Sequence, residues 1–472
     1  MKQRRSNTLP WEMIPTIFAL AWPTMLEQLM ETAVQYVDTA MVGSLGTYAT
    51  AAVGATTTVN WLINSTISAL AIGFLAFVAR ACGAGDTKRA GKAASQAVLA
   101  VLVCGGFFTV LTLGLSRYVP VWMQVDPSIQ SLSARYFFIL YTPMLARTAI
   151  LIFGTLLRAA GDTKTPMRVG ILVNLINVIL NFLLIYPSRS LWGMHLPGAG
   201  LGVIGAAVAS AAAFLAGGVC MSVALWRHPM LSPRGQKLKP DWSVLGPCLK
   251  VALPNALQRF GTSLGYVAFA AMINSLGEVS TAAHTIANTV ESAFYIPGYG
   301  MQTAAATLAG NALGAADNRR ARDLARMIIA IETTLMVLSG GALFCFAPNM
   351  MTLFSRDAQV ILLGATVLRM VAVSEPFYGV SIIIEGMMQG MGNTVLPFFI
   401  GISGMWGIRI LGTFLCTRVL GLGLVAAWGC MIAHNLTVFA LFLMCYLTGK
   451  WNPMNKESLS QRKNQKNSEE NT

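Results

Sequence analysis

The sequence repeats itself. Moved along its own length by 231 residues, Pro23 falls on Pro254, Leu26 on Leu257 and Met41 on Met272. The tripeptide Ser44–Gly46 falls on Ser275–Gly277, Gly83-Ala84 on Gly314-Ala315, Asp86 on Asp317 and Arg89 on Arg320. Much later the same shift carries Gly161, Thr163 and Pro166 onto Gly392, Thr394 and Pro397. Alanine matches come cheaply in apolar sequence, whereas proline, glycine and charged matches in one register do not. The chain is a duplicated unit, and each copy must fold by the same local rules.

The medium is lipid. Of the 472 residues 55% are hydrophobic and 11% charged, with a mean hydropathy of +0.61, where a soluble protein carries about 25% charged residues. A membrane leaves helices or closed barrels as the ways to satisfy backbone hydrogen bonds. The apolar runs here have helix length. Twelve spans are expected, near 14–43, 50–79, 93–115, 133–157, 168–187, 200–226, 247–274, 281–311, 323–346, 360–388, 396–418 and 421–447. The fold class is therefore all-α and polytopic, with two pseudo-symmetric six-helix lobes. An even number of spans preserves orientation, so the copies are parallel repeats about an axis along the membrane normal. The expected division is a flank at 1–13, a first lobe at 14–226, a basic linker at 227–246, a second lobe at 247–447 and a disordered tail at 448–472.

The net charge of +14 suggests nucleic acid until its placement is read. Of 33 lysines and arginines, 24 fall on alternate segments between spans, from Lys2, Arg4 and Arg5 through Arg158 and Lys164 to the tail. The positive-inside bias then puts the termini and the linker in the cytoplasm. Charge sets topology here and implies no nucleic-acid partner. The expected partners are the bilayer and small molecules, with the chain working as a monomer. The eight cysteines have no paired spacing and read as small apolar residues.

The first span breaks the apolar rule. It carries Glu27, Glu31 and Asp38 on one helix face. A charge at mid-bilayer costs about 2.5–3.5 kcal/mol, so that face must look into protein or a wet cavity. Span 5 sets Asn174, Asn177 and Asn181 on one face by spacings of three and four. They serve either as packing glue between helices or as the lining of the Asp38 cavity. Arg147, in mid-span, is a possible charge partner. The second copy loses these acids, since Gln258, Thr262 and Phe269 stand at the matching positions. Its own membrane carboxyls lie elsewhere, at Glu291, Glu332, Glu375 and Glu385, with Arg259 and Arg409 available to pair with them. Methionines such as Met25, Met30, Met387, Met388 and Met405 suit an adaptable substrate wall, or plain core filling.

Other classes are weak. Gly200-x-Gly202-x-x-Gly205 follows no strand and opens an apolar helix, so it reads as close helix packing and not as a nucleotide loop. The four histidines are scattered, and no HExxH, Walker or Gly-x-Ser-x-Gly pattern occurs. An enzyme or an ATP-driven pump has nothing to build on.

Over about residues 12–447 the sequence resembles the multidrug and toxic compound extrusion (MATE) family, bacterial type. The resemblance rests on VDTAMVGSLG at 37–46, CGAGDTKRAGKAA at 82–94, LLRAAGDTKTPM at 156–167, NLINVILN at 174–181 and GLGVIGAAVA at 200–209. In the second copy it rests on PGYGMQTAAATLAGNALGAAD at 297–317 and GMMQGMGNTVLP at 386–397. It implies a two-lobe carrier that exports cationic or amphiphilic compounds in exchange for protons or sodium, without a cofactor. Asp38 matches the family's first-lobe cation residue, and Asn177 and Asn181 match fifth-helix positions lining that site, with Na⁺ at these three as one option. Thr262 and Tyr378 stand where NorM-like members carry second-lobe acids, which leans toward DinF-like, first-lobe coupling. Thr262, Glu291, Tyr378, Glu375 and Glu385 remain candidate substrate or ion contacts of the second lobe. The related alternative is a flippase for a lipid-linked precursor, which shares the two-lobe plan.

Overall fold

The computed structural model describes residues 11–123, 125–191 and 194–455. The basic start (Lys2, Arg4, Arg5) and residues 456–472 lie outside the described residues, but the first part of the expected disordered tail, 448–455, is ordered, because Trp451 and Met454 pack into the core of the second unit. Among those described, twelve helical spans follow one another. They are α1 (Ile14–Gly43), α2 (Thr47–Gly83), α3 (Thr87–Leu115), α4 (Pro127–Tyr141 continued by Met144–Ala159), α5 (Lys164–Ile185) and α6 (Gly202–Arg227). The second six are α7 (Trp242–Asn274), α8 (Glu278–Phe294 continued by Ile296–Gly314), α9 (Asn318–Phe354), α10 (Ala358–Gly390), α11 (Val395–Val419) and α12 (Leu424–Leu447). Eight of these are long and apolar enough to cross a membrane on length and composition alone, and the two parts of α4, bent by 48°, make a ninth. The acid-bearing α1 is not among them.

Breaks fall where the backbone demands them. Pro143 has no N–H to donate and leaves helical geometry at φ −86°, ψ 37°, so α4 bends there. α8 parts at Tyr295, just before Pro297. Three stretches widen into π-helix, Val101–Gly105 in α3 and Ser403–Ile410 and Leu415–Val419 in α11. A hairpin of Pro187–Leu191 against Met194–Ala199 joins α5 to α6, an element the helical reading of the sequence did not include.

The residues that betrayed the repeat turn out to be its punctuation. Asp86 and Asp317 are N-caps, each accepting from the backbone N–H three residues on, Arg89 and Arg320, at 2.9 Å. Ser44 and Ser275 donate to the carbonyls of Met41 and Met272 at 2.7 and 2.6 Å. Gly46 and Gly277 take φ of 106° and 101°, and Gly161 and Gly392 take 89° and 83°, a region closed to most L-residues. Exchange of such residues breaks a turn, while exchange of lipid-facing leucines breaks nothing. One pair has diverged. Gly85 turns at φ 68°, and its counterpart Ala316 holds φ 53°, the one non-glycine at positive φ among the described residues. Ala316→Gly should therefore stabilise the fold by about 1 kcal/mol, read as a rise in the thermal unfolding midpoint in detergent.

Two compact units divide the chain. The first holds Leu26–Phe74 and Asp86–Leu249; the second holds the chain from Lys250 onward, the chain up to Met25, and Leu75–Gly85. The division cuts α1 two residues after Pro23. In the first unit Phe137, Tyr141, Ile152 and Leu156 of α4 are fully buried, with the Phe137 and Tyr141 rings 4.3 Å apart. In the second unit the start of α1, through Ile17 and Ala21, joins the core formed by α8, α9 and α10. Met387, Met388 and Met405 are fully buried. These three fill the core instead of forming a wall, because an unbranched thioether fits irregular gaps between helices.

Candidate functional site

In the first unit α1 and α5 bring Asp38, Asn177 and Asn181 together. Asn181 Nδ2 donates to Asp38 Oδ1 at 2.6 Å. We assign the Asn177 amide with its nitrogen toward Asp38, donating at 2.9 and 3.1 Å to the two carboxyl oxygens, and its oxygen toward Ser210 Oγ of α6 at 2.9 Å. The opposite orientation would face one acceptor onto another. Asn177 and Asn181 are buried and Asp38 is half-buried. Asp38 is thus a carboxylate held by side-chain amides, with no ion pair to it among the described residues. The Tyr186 hydroxyl, 2.8 Å from Ser44 Oγ and donating to the Met41 carbonyl at 3.3 Å, ties the end of α1 to the end of α5.

The other two acids of α1 behave differently. Glu27 is in an ion pair with Arg158 of α4, whose Nη2 lies 2.7 and 2.9 Å from the two carboxyl oxygens. Both side chains are less than one-fifth exposed. Gly170 of α5 lies beside Glu27, and a Cβ there would make an ordinary contact at 3.4 Å with Glu27 Cγ. Glu31, one turn on, is exposed, and Asn174 is half-buried on the asparagine face of α5. Removing one partner of a buried pair strands the other charge and costs about 3–5 kcal/mol. Arg158→Ala should therefore destabilise the chain by about 3 kcal/mol, seen as a lower unfolding midpoint, and Glu27→Gln combined with Arg158→Gln should recover part of the loss.

Arg147 is buried on α4 and does not reach a carboxylate. Its Nη2 donates to Asn60 Oδ1 at 2.6 Å and to Asn64 Oδ1 at 3.3 Å, and its guanidinium lies 4.6 Å from the Phe214 ring and 5.1 Å from the Tyr141 ring. Amide oxygens of α2 and aromatic faces hold this charge. The sequence alone does not mark Arg158, Ser210, Asn60 and Asn64 as partners of these residues. No spacing rule connects them, because each pair is more than thirty residues apart.

In the second unit the candidate carboxyls differ in their hydrogen-bond partners. Glu291 on α8 accepts from the Tyr295 hydroxyl at 2.8 Å, and the Tyr295 ring lies 5.0 Å from that of Tyr378 on α10. Glu385 accepts from Gln258 and Gln389 at 2.9 and 3.0 Å. Thr262 is half-buried one turn after Gln258. Glu332 and Glu375 are fully buried, and their carboxyl oxygens have no hydrogen-bond partner among the described residues. Each is seated against a glycine, Glu332 against Gly298 and Gly379, Glu375 against Gly340. Among the described residues no three His, Cys, Asp or Glu side chains converge as a metal site.

Two stretches, residues 23–183 and 254–415, each match the MatE family. This chain belongs to the MatE family. The two matches start 231 residues apart, which is the register of the internal repeat. MATE proteins are membrane transporters and not enzymes, and the twelve-helix, two-lobe architecture is theirs. A curated relative, the probable multidrug resistance protein NorM of Thermotoga maritima, is 27% identical over 449 residues, covering 94% of this chain and 95% of that protein. The multidrug resistance protein PmpM of Pseudomonas aeruginosa is 25% identical over 397 residues, covering 84% and 82%. Among solved structures, a MATE in the bent conformation superposes with a TM-score of 0.86 at 21% identity, covering 94% of this chain and 96% of that one. A MOP superfamily transporter from Pyrococcus furiosus gives 0.84 at 22% identity, covering 92% and 95%.

Proposed function

We propose that this MATE transporter exports cationic or amphiphilic compounds by alternating access, in exchange for a proton or a sodium ion bound at Asp38. The observation that carries the reading is the cluster of Asp38, Asn177 and Asn181. It is a single carboxylate, held by amides in a span that must sit in lipid, and its counterpart in the second copy is Phe269. Glu27 is already neutralised by Arg158, so it has no charge to spare for coupling. Glu31, exposed on the same helix, supplies a countercharge for a cationic substrate. Multidrug relatives support the substrate class, and coupling confined to the first unit follows the DinF-like pattern.

The chemistry is an exchange of charges. A proton on Asp38 removes the negative charge that the Asn177 and Asn181 amides hold; a sodium ion would instead draw the amide oxygens round to join the carboxylate. In either case the hydrogen bonds between α1 and α5 change, and α1 repacks along the segment after Pro23. Cationic drug loses its countercharge and leaves outward. The termini lie in the cytoplasm and the chain works as a monomer in the cell membrane.

The test is efflux of a fluorescent lipophilic cation from liposomes carrying the purified protein, with the pH and sodium gradients imposed separately. Transport driven by one gradient names the ion. Transport under neither, together with binding of a lipid-linked diphosphate, would sink the reading.

A further inference from the structure

We infer that the second unit holds a small monovalent anion, of halide size, at Arg409. This residue lies in mid-α11 and is buried. Guanidinium does not lose its proton in a protein, so its charge needs an answer inside the membrane. The rings of Phe269 and Tyr266 lie 4.3 and 4.9 Å from its Cζ. Nη2 donates to Met431 Sδ at 2.9 Å, a weak acceptor, and the buried Nε has no partner among the described residues.

Trp428 adds a second unpartnered donor, and two histidines line the cluster. Trp428 of α12 is fully buried, and its indole N–H, which can only donate, has no partner. His434 of α12 is buried with Nδ1 unpartnered. Its other edge is pressed onto α11 at Gly404, where a Cβ would sit 2.7 Å from Cδ2 and 3.0 Å from Nε2. His284 of α8, also unpartnered at Nδ1, bridges the group, with ring centres 5.6 Å from Phe269 and 5.8 Å from Trp428.

Glu291 is the acid that faces this cluster. It acts on Arg409 at a distance but forms no ion pair with it among the described residues, and it takes its hydrogen bond from Tyr295. The backbone supplies an independent sign. Arg409 sits in the π-helical stretch Ser403–Ile410, a distortion that recurs at functional sites because it re-aims side chains. A fixed positive charge, unpartnered buried donors and no paired acid together call for an anion. Water would satisfy the donors and leave the charge.

The experiment uses the full chain in nanodiscs of zwitterionic lipid, with chloride replaced by gluconate at constant ionic strength. The wild-type unfolding midpoint should rise with chloride and saturate. Arg409→Gln should remove the saturable rise. Trp428→Phe, which deletes one N–H, should raise the half-saturating chloride about tenfold. A crystal grown in bromide should show an anomalous peak within hydrogen-bond distance of Arg409 Nε. If Arg409→Gln does not fold, the Trp428 variant and the bromide peak decide. A wild-type midpoint indifferent to chloride, an unchanged chloride response in Trp428→Phe, or a water without anomalous signal at Arg409 would each overturn the inference. Chloride dependence that arises only after Glu291→Gln would overturn it as well, by making Glu291 the internal counter-ion.

Discussion

Asp38→Asn should abolish gradient-driven export while the protein still inserts and folds. Asparagine keeps the shape of the side chain and can still accept from Asn181 Nδ2, now 2.6 Å from Asp38 Oδ1. The structural loss is one charge-assisted hydrogen bond, about 1.5–3 kcal/mol net. The functional loss is complete, because an amide does not take up a proton in the physiological range and adds no charge for sodium. One charge moving through 100 mV supplies about 2.3 kcal/mol, enough for roughly a fiftyfold drug gradient, and that gradient should vanish. Efflux from liposomes checks it, with the unfolding midpoint measured beside it. A variant that held the full gradient would remove Asp38 from coupling and send the search to Glu375 and Glu332.

The second large effect concerns the fold. Near the C-terminal ends of α2, α8 and α10, four glycines let backbones of the second unit touch. A Cβ on Gly83 would overlap the backbone of Asn311, and one on Gly314 would overlap that of Arg80. These contacts are one contact twice, since 80 and 83 become 311 and 314 under the 231-residue shift. Gly390 meets the Ala306 backbone in the same way, and a Cβ on Gly310 would sit 2.7 Å from Ala79 Cβ and 2.8 Å from the Gly390 carbonyl oxygen. Arg80 Nη2 closes the group by donating to the Met391 carbonyl at 2.9 Å. The obstructing atoms are mainly main chain, so no rotamer change makes room. Gly83→Leu or Gly314→Leu should cost about 3 kcal/mol or more and yield little monodisperse protein on size exclusion. Gly106→Ala, with nothing within 4 Å of its would-be Cβ, should be neutral or gain up to about 1 kcal/mol in helix propensity.

The legible parts of the site were those that lipid makes expensive. Asp38 stood out because a carboxyl in an apolar span needs a reason, and Asn177 and Asn181 because helical spacing put them on one face. That the three would meet was not legible, nor was Ser210 as the third support. Glu27 shows the limit most clearly. It shares a helix face with Asp38 in the sequence, and the structure separates the two further by giving Glu27 an arginine from α4. Arg147 and Arg409 show it again. Each invited a carboxylate partner, and each is found among aromatic rings with amide or thioether acceptors instead.

The sequence by itself determined the membrane class, the helical spans, the duplication and its register, because hydropathy, turn glycines and N-cap aspartates act over a few residues and leave local marks. Only the tertiary structure decided which carboxyl is paired, which is held by amides and which is buried without a partner. Those outcomes depend on residues from different helices arriving at one place, and in a chain whose helices share the same apolar composition no local pattern records which faces meet.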